Sequence, residues 1–214
     1  MKINTVLFDL DGTLANSLPL IRNTFQRVFD EMNIDWGDDE VMGWIGRPLK
    51  DIGIHFAGED RQPDFFKLYQ EYYAIDHDHY TTVYPGTMEM LKQLEDGGYT
   101  MGVVTSKTTK VAQRSIEYLG IDKYIQVLIG VNDVDKHKPQ PEPLYAALEK
   151  LNRTTKQAAY VGDSPFDILA AKAAGTLAIA VPWGMAERNV LENHKPDYIL
   201  NNWDELISLI GNVE

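Results

Sequence analysis

Short apolar runs alternate with helical patterns along most of this 214-residue chain. The runs are rich in branched side chains, which is typical of strands buried on both faces of a parallel sheet. They lie at residues 3–8, 100–105, 124–131, 158–162, 176–181 and 197–200. The segments between the later runs repeat apolar residues at helical spacing, and Gly97, Gly120 and Gly175 stand where helices would end. Strands that alternate with helices predict an α/β fold with helices on both faces of a parallel sheet.

Residues 16–83 interrupt this alternation. A helical stripe of apolar residues begins after Ser17, a candidate N-cap, and a second stripe runs from Phe65 to Tyr73. No strand pattern separates the two stripes. We therefore expect an all-helical cap domain at 16–83, inserted into a Rossmann-like parallel sheet core made of residues 1–15 and 84–214. The insert either covers the residues before it as a lid or packs as a structural appendage.

The charge balance is acidic, with 32 Asp and Glu against 20 Lys and Arg and a formal net charge of −12. An acidic chain lacks the positive surface charge that binding to nucleic acids or anionic membranes needs, so we expect neither partner. The chain contains no Cys, which excludes disulfides and thiol chemistry. No apolar run has the length of a signal peptide or a membrane span, so we expect a cytoplasmic protein. The sequence leaves monomer and homodimer open.

Acidic residues follow the first apolar run, in the stretch VLFDLDGTLANS. Asp9 and Asp11 are two residues apart and point to the same side of an extended strand, and Gly12 lets the chain turn. A single Asp in this position is commonly a turn former or a helix cap, but the whole DxDGT pattern favours a functional site. Ligands of open α/β sheets bind at the carboxyl ends of the strands, where these carboxylates converge.

The strand at 100–105 ends in VVTSK. It brings Thr105 and Ser106 to the same edge of the sheet, directly before a helix that we expect from about Thr108. Backbone amides at a helix start favour anionic oxygens, which predicts an anion-binding turn. The alternative is a simple Thr/Ser cap with Lys107 in solvent.

Two further segments add charged groups to this edge. In KHKPQPEP, a proline fixes the backbone after Lys138 and a helix begins soon afterwards, so this ammonium can be held at one point, whereas we expect Lys136 to be solvated. In YVGDSPFD, Asp163 ends a strand and Asp167 lies in the first turn of the next helix. Either aspartate can approach the edge or cap that helix.

Four carboxylates at one edge would raise one another's pKa unless a cation were present. Donor sets made of oxygen favour Mg²⁺, which binds a few carboxylates, several waters and substrate phosphate. The sequence therefore predicts Mg²⁺ and a small phosphorylated substrate, and one carboxylate is then available as a nucleophile. His77 and His79 resemble a metal-binding pair, but we expect them in a polar linker without further ligands, which favours no metal there.

The segments DLDGT, VVTS, KHKPQP and GDSPFD, in this order, resemble the four signature motifs of the haloacid dehalogenase-like superfamily. The helical insert resembles that superfamily's small helical cap, and the similarity spans nearly the whole chain. VGDSPFDILAAKAAG, KPQPEP and the cap position are most similar to phosphoglycolate phosphatases and related small pyrophosphatases. The resemblance implies a Mg²⁺-dependent phosphatase that cleaves a small phosphate ester or pyrophosphate through an aspartyl-phosphate intermediate.

The resemblance also implies a role for each motif residue. Asp9 would attack phosphorus and contact the metal. Asp11 would protonate the leaving oxygen and later activate water, while its backbone carbonyl helps to hold Mg²⁺. Thr105 and the Ser106 amide would bind phosphoryl oxygens, and Lys138 would neutralise charge on the phosphate and on Asp9.

In the last motif, Asp163 would coordinate Mg²⁺ directly, and Asp167 would orient the metal's water or Lys138. Asn16 departs from the Asp usual in these phosphatases, beside the expected cap hinge. The motifs do not cover the lining of the cap. There, Arg47 in GWIGRP is a candidate for contacting the substrate away from the reacting phosphate, and a solvated surface Arg is the alternative.

Two other functions fit parts of the pattern. A sugar phosphomutase of the same superfamily would return the phosphoryl group to substrate instead of water. A phosphoacceptor signalling module would take phosphate on Asp in a Mg²⁺-binding acidic cluster, but it needs neither a lid nor Asp11. Dehalogenases of the superfamily lack the second aspartate of DxDGT, so we do not expect dehalogenation.

Overall fold

The structure is a computed structural model that describes residues 2–211. In chain order, its strands are β1 (Thr5–Phe8), β2 (Ala15–Asn16), β3 (Thr82–Val83), β4 (Thr100–Val104), β5 (Val127–Ile129), β6 (Ala158–Gly162), β7 (Leu177–Ala180) and β8 (Tyr198–Ile199). Strands β1 and β4 to β8 form one sheet in the spatial order β5-β4-β1-β6-β7-β8, with every neighbouring pair parallel. The predicted parallel sheet is confirmed.

The α-helices connect these strands. They are α1 (Leu18–Met32), α2 (Leu49–Ala57), α3 (Gln62–Tyr80), α4 (Thr87–Asp96), α5 (Thr109–Tyr118), α6 (Glu142–Lys150), α7 (Pro165–Ala174), α8 (Arg188–Asn193) and α9 (Asp204–Gly211). Within residues 2–211, no helix combines the length and apolar character that crossing a membrane requires.

The sheet carries helices on both faces because successive strand residues point to opposite sides. Val6 and Phe8 of β1 belong to the apolar cluster under α4, α5 and α9, whereas Leu7 belongs to the cluster under α6, α7 and α8. All four residues of β1 are buried, which explains why the strand reads as a continuous apolar run. The predicted Rossmann-like α/β core is confirmed.

Helices α1, α2 and α3 bury an apolar cluster of their own. Phe25 and Phe29 of α1 each lie 6.2 Å, between ring centroids, from Phe65 of α3. The chain enters and leaves this helical insert through the antiparallel ribbon of β2 and β3, in which Asn16 pairs with Thr82. We did not predict this ribbon, because each of its strands is two residues long and too short to produce a pattern.

The residue before α1 is Ser17, as predicted, but its side chain does not cap the helix. Its hydroxyl donates a hydrogen bond to Asp11 Oδ1 instead. A proline in the first turn of α1 has no N–H to satisfy, so this helix needs one capping acceptor fewer.

The prediction that His77 and His79 lie in a polar linker is wrong, because α3 continues to Tyr80. His77 is fully buried between α3 and α5, with Nε2 2.8 Å from Ser115 Oγ and Nδ1 2.6 Å from Asp78 Oδ1. The segment reads as polar in the sequence because polar residues flank the buried His77 on both sides. His77 therefore joins two helices, and among the described residues neither histidine belongs to a potential metal cluster.

We predict that this contact makes folding sensitive to acid. Burial lowers the pKa of His77, and the nearby Asp78 carboxylate does not offset that effect. The unfolded chain, with a His pKa of about 6.5, then binds the proton more readily, so the free energy of unfolding falls as the pH drops below about 6.5. His77→Gln should flatten this part of the profile, measured by urea unfolding at several pH values. An unchanged slope would contradict the prediction.

Candidate active site

The carboxyl ends of β1, β4 and β6 meet the segment before α6 at one edge of the sheet. The structure brings five of the predicted residues together there, and all of them are buried: Asp9, Thr105, Lys138, Asp163 and Asp167. In the sequence, each residue directly follows an apolar strand or lies beside the start of a helix. The fold can therefore bring the five residues together without long loops. The roles assigned to these residues stay predictions.

Lys138 lies between two carboxylates. Its Nζ is 2.9 Å from Asp9 Oδ1 and 2.7 Å from Asp167 Oδ1. Burial alone would lower the pKa of this ammonium, but the two carboxylates more than offset burial and raise it above its usual value. Lys138 is therefore charged at neutral pH and fixes the position of Asp9. Lys136, by contrast, is exposed and pairs with Glu142 at 2.9 Å.

Asp167 uses both carboxylate oxygens to hold this arrangement. Oδ1 accepts hydrogen bonds from Lys138 and from the Tyr160 hydroxyl at 3.0 Å, and Oδ2 accepts from the Ser164 backbone N–H at 3.1 Å and from its hydroxyl. Ser164 and Asp167 thus form a capping box at the start of α7. The two alternatives for Asp167 are both realised, because one oxygen caps the helix and the other orients Lys138.

Asp163 is enclosed by glycines. A Cβ at Gly12 would lie 2.0 Å, and one at Gly184 2.3 Å, from Asp163 Oδ2, so neither position has room for a side chain. The same oxygen accepts a hydrogen bond of 2.7 Å from the Met185 backbone N–H. Gly184 and Met185 could not be recognised from the sequence, because a short loop after a strand carries no distinctive pattern.

Asp11 contacts the base of the insert. Its Oδ1 pairs with Lys107 Nζ and accepts the hydrogen bond from Ser17. The alternative with Lys107 in solvent is wrong, since its side chain is 12% exposed. Burial by itself would lower the pKa of Lys107, but Asp11 and Tyr73 raise it overall. Sequence reasoning missed this lysine, because its partners come from distant segments.

The loop after the 3₁₀ turn at Glu40–Trp44 lies directly over the sheet edge. Ser106 Oγ donates a hydrogen bond to the Gly46 carbonyl oxygen. Arg47 is exposed, with its guanidinium carbon 4.3 Å from the Trp44 ring centroid and 5.0 Å from that of Phe166. Arg47 therefore lines the same cavity as Asp9 and is at the same time exposed to solvent.

The acidic residues of the site fit a divalent cation. Asp9, Asp163 and Asp167 each offer an oxygen, and these oxygens all lie within 4.8 Å of one another. Burial is the main cause that raises the pKa of Asp9 to about 7, and it raises that of Asp163 well above its usual value. The single ammonium of Lys138 lies among these three buried carboxylates. The cluster therefore has more negative than positive charge, which a divalent cation would balance. Because Asp167 is saturated with hydrogen bonds, Asp9 and Asp163 are the better ligands of the three.

We predict that Lys138→Met destabilises the fold strongly. The substitution leaves Asp9 and Asp167 buried without their partner, and removing one member of a buried ion pair costs about 3–5 kcal/mol. Urea unfolding at neutral pH measures the loss. Lys136→Met is the matched control in the same segment and should change stability by less than about 1 kcal/mol. Equal effects of the two substitutions would show that the buried pairs contribute little.

The chain is similar to known proteins over most of its length. The family model described as haloacid dehalogenase-like hydrolase matches residues 6–181. The chain is 37% identical over 211 residues to "Putative pyrophosphatase PpaX" of Caldanaerobacter subterraneus, covering 98% of this chain and 96% of that protein. It is 34% identical over 210 residues to pyrophosphatase PpaX of Bacillus pumilus, covering 98% and 97%.

Solved structures share the architecture. The crystal structure of a predicted phosphoglycolate phosphatase from Haemophilus somnus superposes with a TM-score of 0.90 at 28% identity, covering 98% of each chain. A predicted phosphatase from Clostridium acetobutylicum has a TM-score of 0.89 at 27% identity and covers 100% of both chains. The fold of this chain, including the inserted helices, is therefore shared with these solved structures.

Proposed function

The chain belongs to the haloacid dehalogenase-like hydrolase family and is a phosphatase of that family, and on this premise we propose that it transfers phosphate from a small substrate to Asp9 and then to water. One observation carries the proposal. Asp9 is buried at the end of β1, held at 2.9 Å by the Lys138 ammonium, beside the Asp163 carboxylate and on the floor of a large cavity. Phosphoryl transfer needs this combination of a fixed nucleophile and local positive charge.

Mg²⁺ is the metal that this donor set fits best, since the donors are oxygens and few in number. We assign Asp9, Asp163 and the backbone carbonyl of Asp11 as its ligands. The bound ion would offset the charge of the buried carboxylates and of the substrate phosphate. Asp167 would act through Lys138 instead of touching the metal.

The reaction uses two carboxyl groups in sequence. An oxygen of Asp9 forms a bond to phosphorus while the bond from phosphorus to the leaving oxygen breaks, and Asp11 gives its proton to that oxygen. Asp11 then takes a proton from water, the resulting hydroxide attacks the aspartyl-phosphate, and inorganic phosphate leaves. Asp9 and the protonated Asp11 are regenerated, so atoms and protons balance over the cycle.

The remaining residues position the phosphoryl group. Thr105 and the Ser106 amide would contact its oxygens, at the turn before α5, and Lys138 would neutralise charge that develops on them. The transition state of phosphoryl transfer is largely loose, so placement and charge compensation supply most of the acceleration. Arg47 would contact the substrate on the cap side. The contact between Ser106 and Gly46 supports this, because it brings the cap loop to the phosphate-binding turn.

Phosphate release from a panel of substrates tests this function. The panel is pyrophosphate, 2-phosphoglycolate, several sugar phosphates and an aryl phosphate, each with Mg²⁺. We expect catalytic release from at least one substrate without a second protein. Activity that depends on a sugar bisphosphate, with no net phosphate release, would overturn the proposal in favour of a mutase. A single stoichiometric phosphorylation of Asp9 without turnover would favour a signalling module.

A further inference from the structure

Lys107 is a charged residue with little access to solvent. It lies in the turn between β4 and α5, outside both elements, and its side chain is 12% exposed. An ammonium that loses hydration is stable only where fixed partners replace the lost water. The partners of Lys107 therefore determine where its charge lies.

The first partner is Asp11. The Lys107 ammonium pairs with Asp11 Oδ1, the same oxygen that accepts the hydrogen bond from Ser17. Both contacts use Oδ1, which leaves Oδ2 as the oxygen that can exchange a proton with a substrate. Rotation of the carboxyl group would break a charge-assisted hydrogen bond, so Lys107 also hinders that rotation. Lys107 thus fixes which oxygen of Asp11 is available for proton transfer.

The second partner is Tyr73, which belongs to helix α3 of the insert. The Lys107 Nζ lies 5.1 Å from the Tyr73 ring centroid, within the range of a cation–π contact. The Tyr73 hydroxyl lies beside Lys107 and Ser115. Because Tyr73 is buried, this contact is stronger than one on an exposed surface. The insert therefore supplies one side of the surroundings of the Lys107 ammonium.

Helix α3 is held against α5 close to Tyr73. His77 lies one turn after Tyr73 on the same face of α3, and its Nε2 is 2.8 Å from Ser115 Oγ of α5. The Tyr118 hydroxyl of α5 donates a hydrogen bond of 2.6 Å to the Asp78 carbonyl oxygen of α3. Tyr73 therefore has a fixed position beside the turn that precedes α5.

We propose that Lys107 is a positioning residue for Asp11, and that Tyr73 of the insert holds Lys107 in its place. The inference rests on the proposed phosphatase function, in which Asp11 gives its proton to the leaving oxygen. It adds that helix α3 sets the direction of this proton transfer through one buried lysine. Lys107 acts through Asp11 and touches neither phosphorus nor the leaving oxygen.

The dependence of the rate on the leaving group tests the role of Lys107. Phenyl phosphate needs a proton on its leaving oxygen, whereas 2,4-dinitrophenyl phosphate releases a stable anion without one. With Mg²⁺ and the full chain, Lys107→Met should lower kcat/KM for phenyl phosphate at least about tenfold more than for dinitrophenyl phosphate, because a well-placed general acid contributes about 100-fold or more.

The ratio of the two kcat/KM values does not depend on the fraction of folded protein, so a loss of stability cannot imitate this effect. Lys123→Met is the matched control, because Lys123 is exposed and does not line the cavity that contains Asp11. This control should keep the ratio of the unmodified chain. A ratio that is also unchanged in Lys107→Met would overturn the inference.

Tyr73→Leu tests the contribution of the insert, with Tyr80→Leu as its control. Tyr80 belongs to the same helix but is exposed. Tyr73→Leu should shift the ratio in the same direction as Lys107→Met, by about fivefold, from the loss of one buried cation–π contact. An unchanged ratio, or an equal shift in Tyr80→Leu, would overturn the role of Tyr73.

A double-mutant cycle tests whether Lys107 acts through Asp11. Lys107→Met, Asp11→Asn and the double variant are assayed with the best substrate of the panel. The double variant should match Asp11→Asn within about twofold, because a positioning residue has no effect once the group that it positions is absent. Losses that multiply would overturn the inference and leave the phosphatase function intact. No phosphate release from any substrate by the unmodified chain would overturn both.

Discussion

Asp9→Asn abolishes phosphate release, with an expected loss in kcat of about 10⁴-fold or more, while the protein stays folded. The amide that replaces the carboxylate has nearly the same shape but cannot form the bond to phosphorus. Folding should tolerate the change, because the amide keeps the size of the carboxylate and Lys138 keeps Asp167 as its charged partner at 2.7 Å. Thermal unfolding and kcat for the best substrate of the panel give the two readouts.

Asp96→Asn is the control for this substitution. The chemical change is the same, but Asp96 lies on α4 with a side chain that is 64% exposed. The activity of this variant should equal that of the unmodified chain. If Asp9→Asn kept more than about one hundredth of the activity, Asp9 would not be the nucleophile. Loss of folding together with activity would instead assign Asp9 a structural role.

Removing divalent cations should have an effect of comparable size. EDTA should lower phosphate release by at least about 100-fold, and added Mg²⁺ should restore it. The reason is the charge balance of the site, where the Lys138 ammonium faces buried Asp9, Asp163 and Asp167. Ca²⁺ should restore less, because it takes more oxygen ligands than this site offers. Full activity in chelator would contradict the metal site.

Asp163→Asn gives a second readout of the same site. The variant should need more Mg²⁺ for half-maximal activity, whereas Asp96→Asn should not. Mg²⁺ binding displaces protons, because burial raises the pKa of Asp9 to about 7 and also raises that of Asp163. The half-maximal Mg²⁺ concentration should therefore fall as the pH rises through about 7. A concentration that does not change with pH would contradict the raised pKa values of these two carboxyls, and the Asp163→Asn comparison would then decide on the ligands alone.

Elements buried on both faces could be predicted from the sequence almost residue by residue. The run 158–162 coincides with β6, where all five residues are buried. The strand predicted at 124–131 was too long, because β5 covers only Val127–Ile129 and a short 3₁₀ turn forms on each side of it. Apolar residues in such turns are indistinguishable from strand residues in a short pattern.

The site could be predicted where a side chain follows its own strand, as for Asp9 and Asp163. It could not be predicted where the position depends on distant segments. Tyr160 is one example, since a strand tyrosine reads as a core residue until the fold brings its hydroxyl to Asp167. Lys107 is another, because its burial depends on Asp11 and on a tyrosine of the insert.

The ribbon of β2 and β3 has a consequence for how this chain can change during evolution. Asn16 and Thr82 are partners in register, so the two ends of the inserted segment are adjacent in space. A segment of another length or fold could replace the insert at this point without moving β1 or the strands beside it. The part of the molecule that covers the sheet edge is therefore exchangeable, while the acidic residues and Lys138 at that edge stay in place.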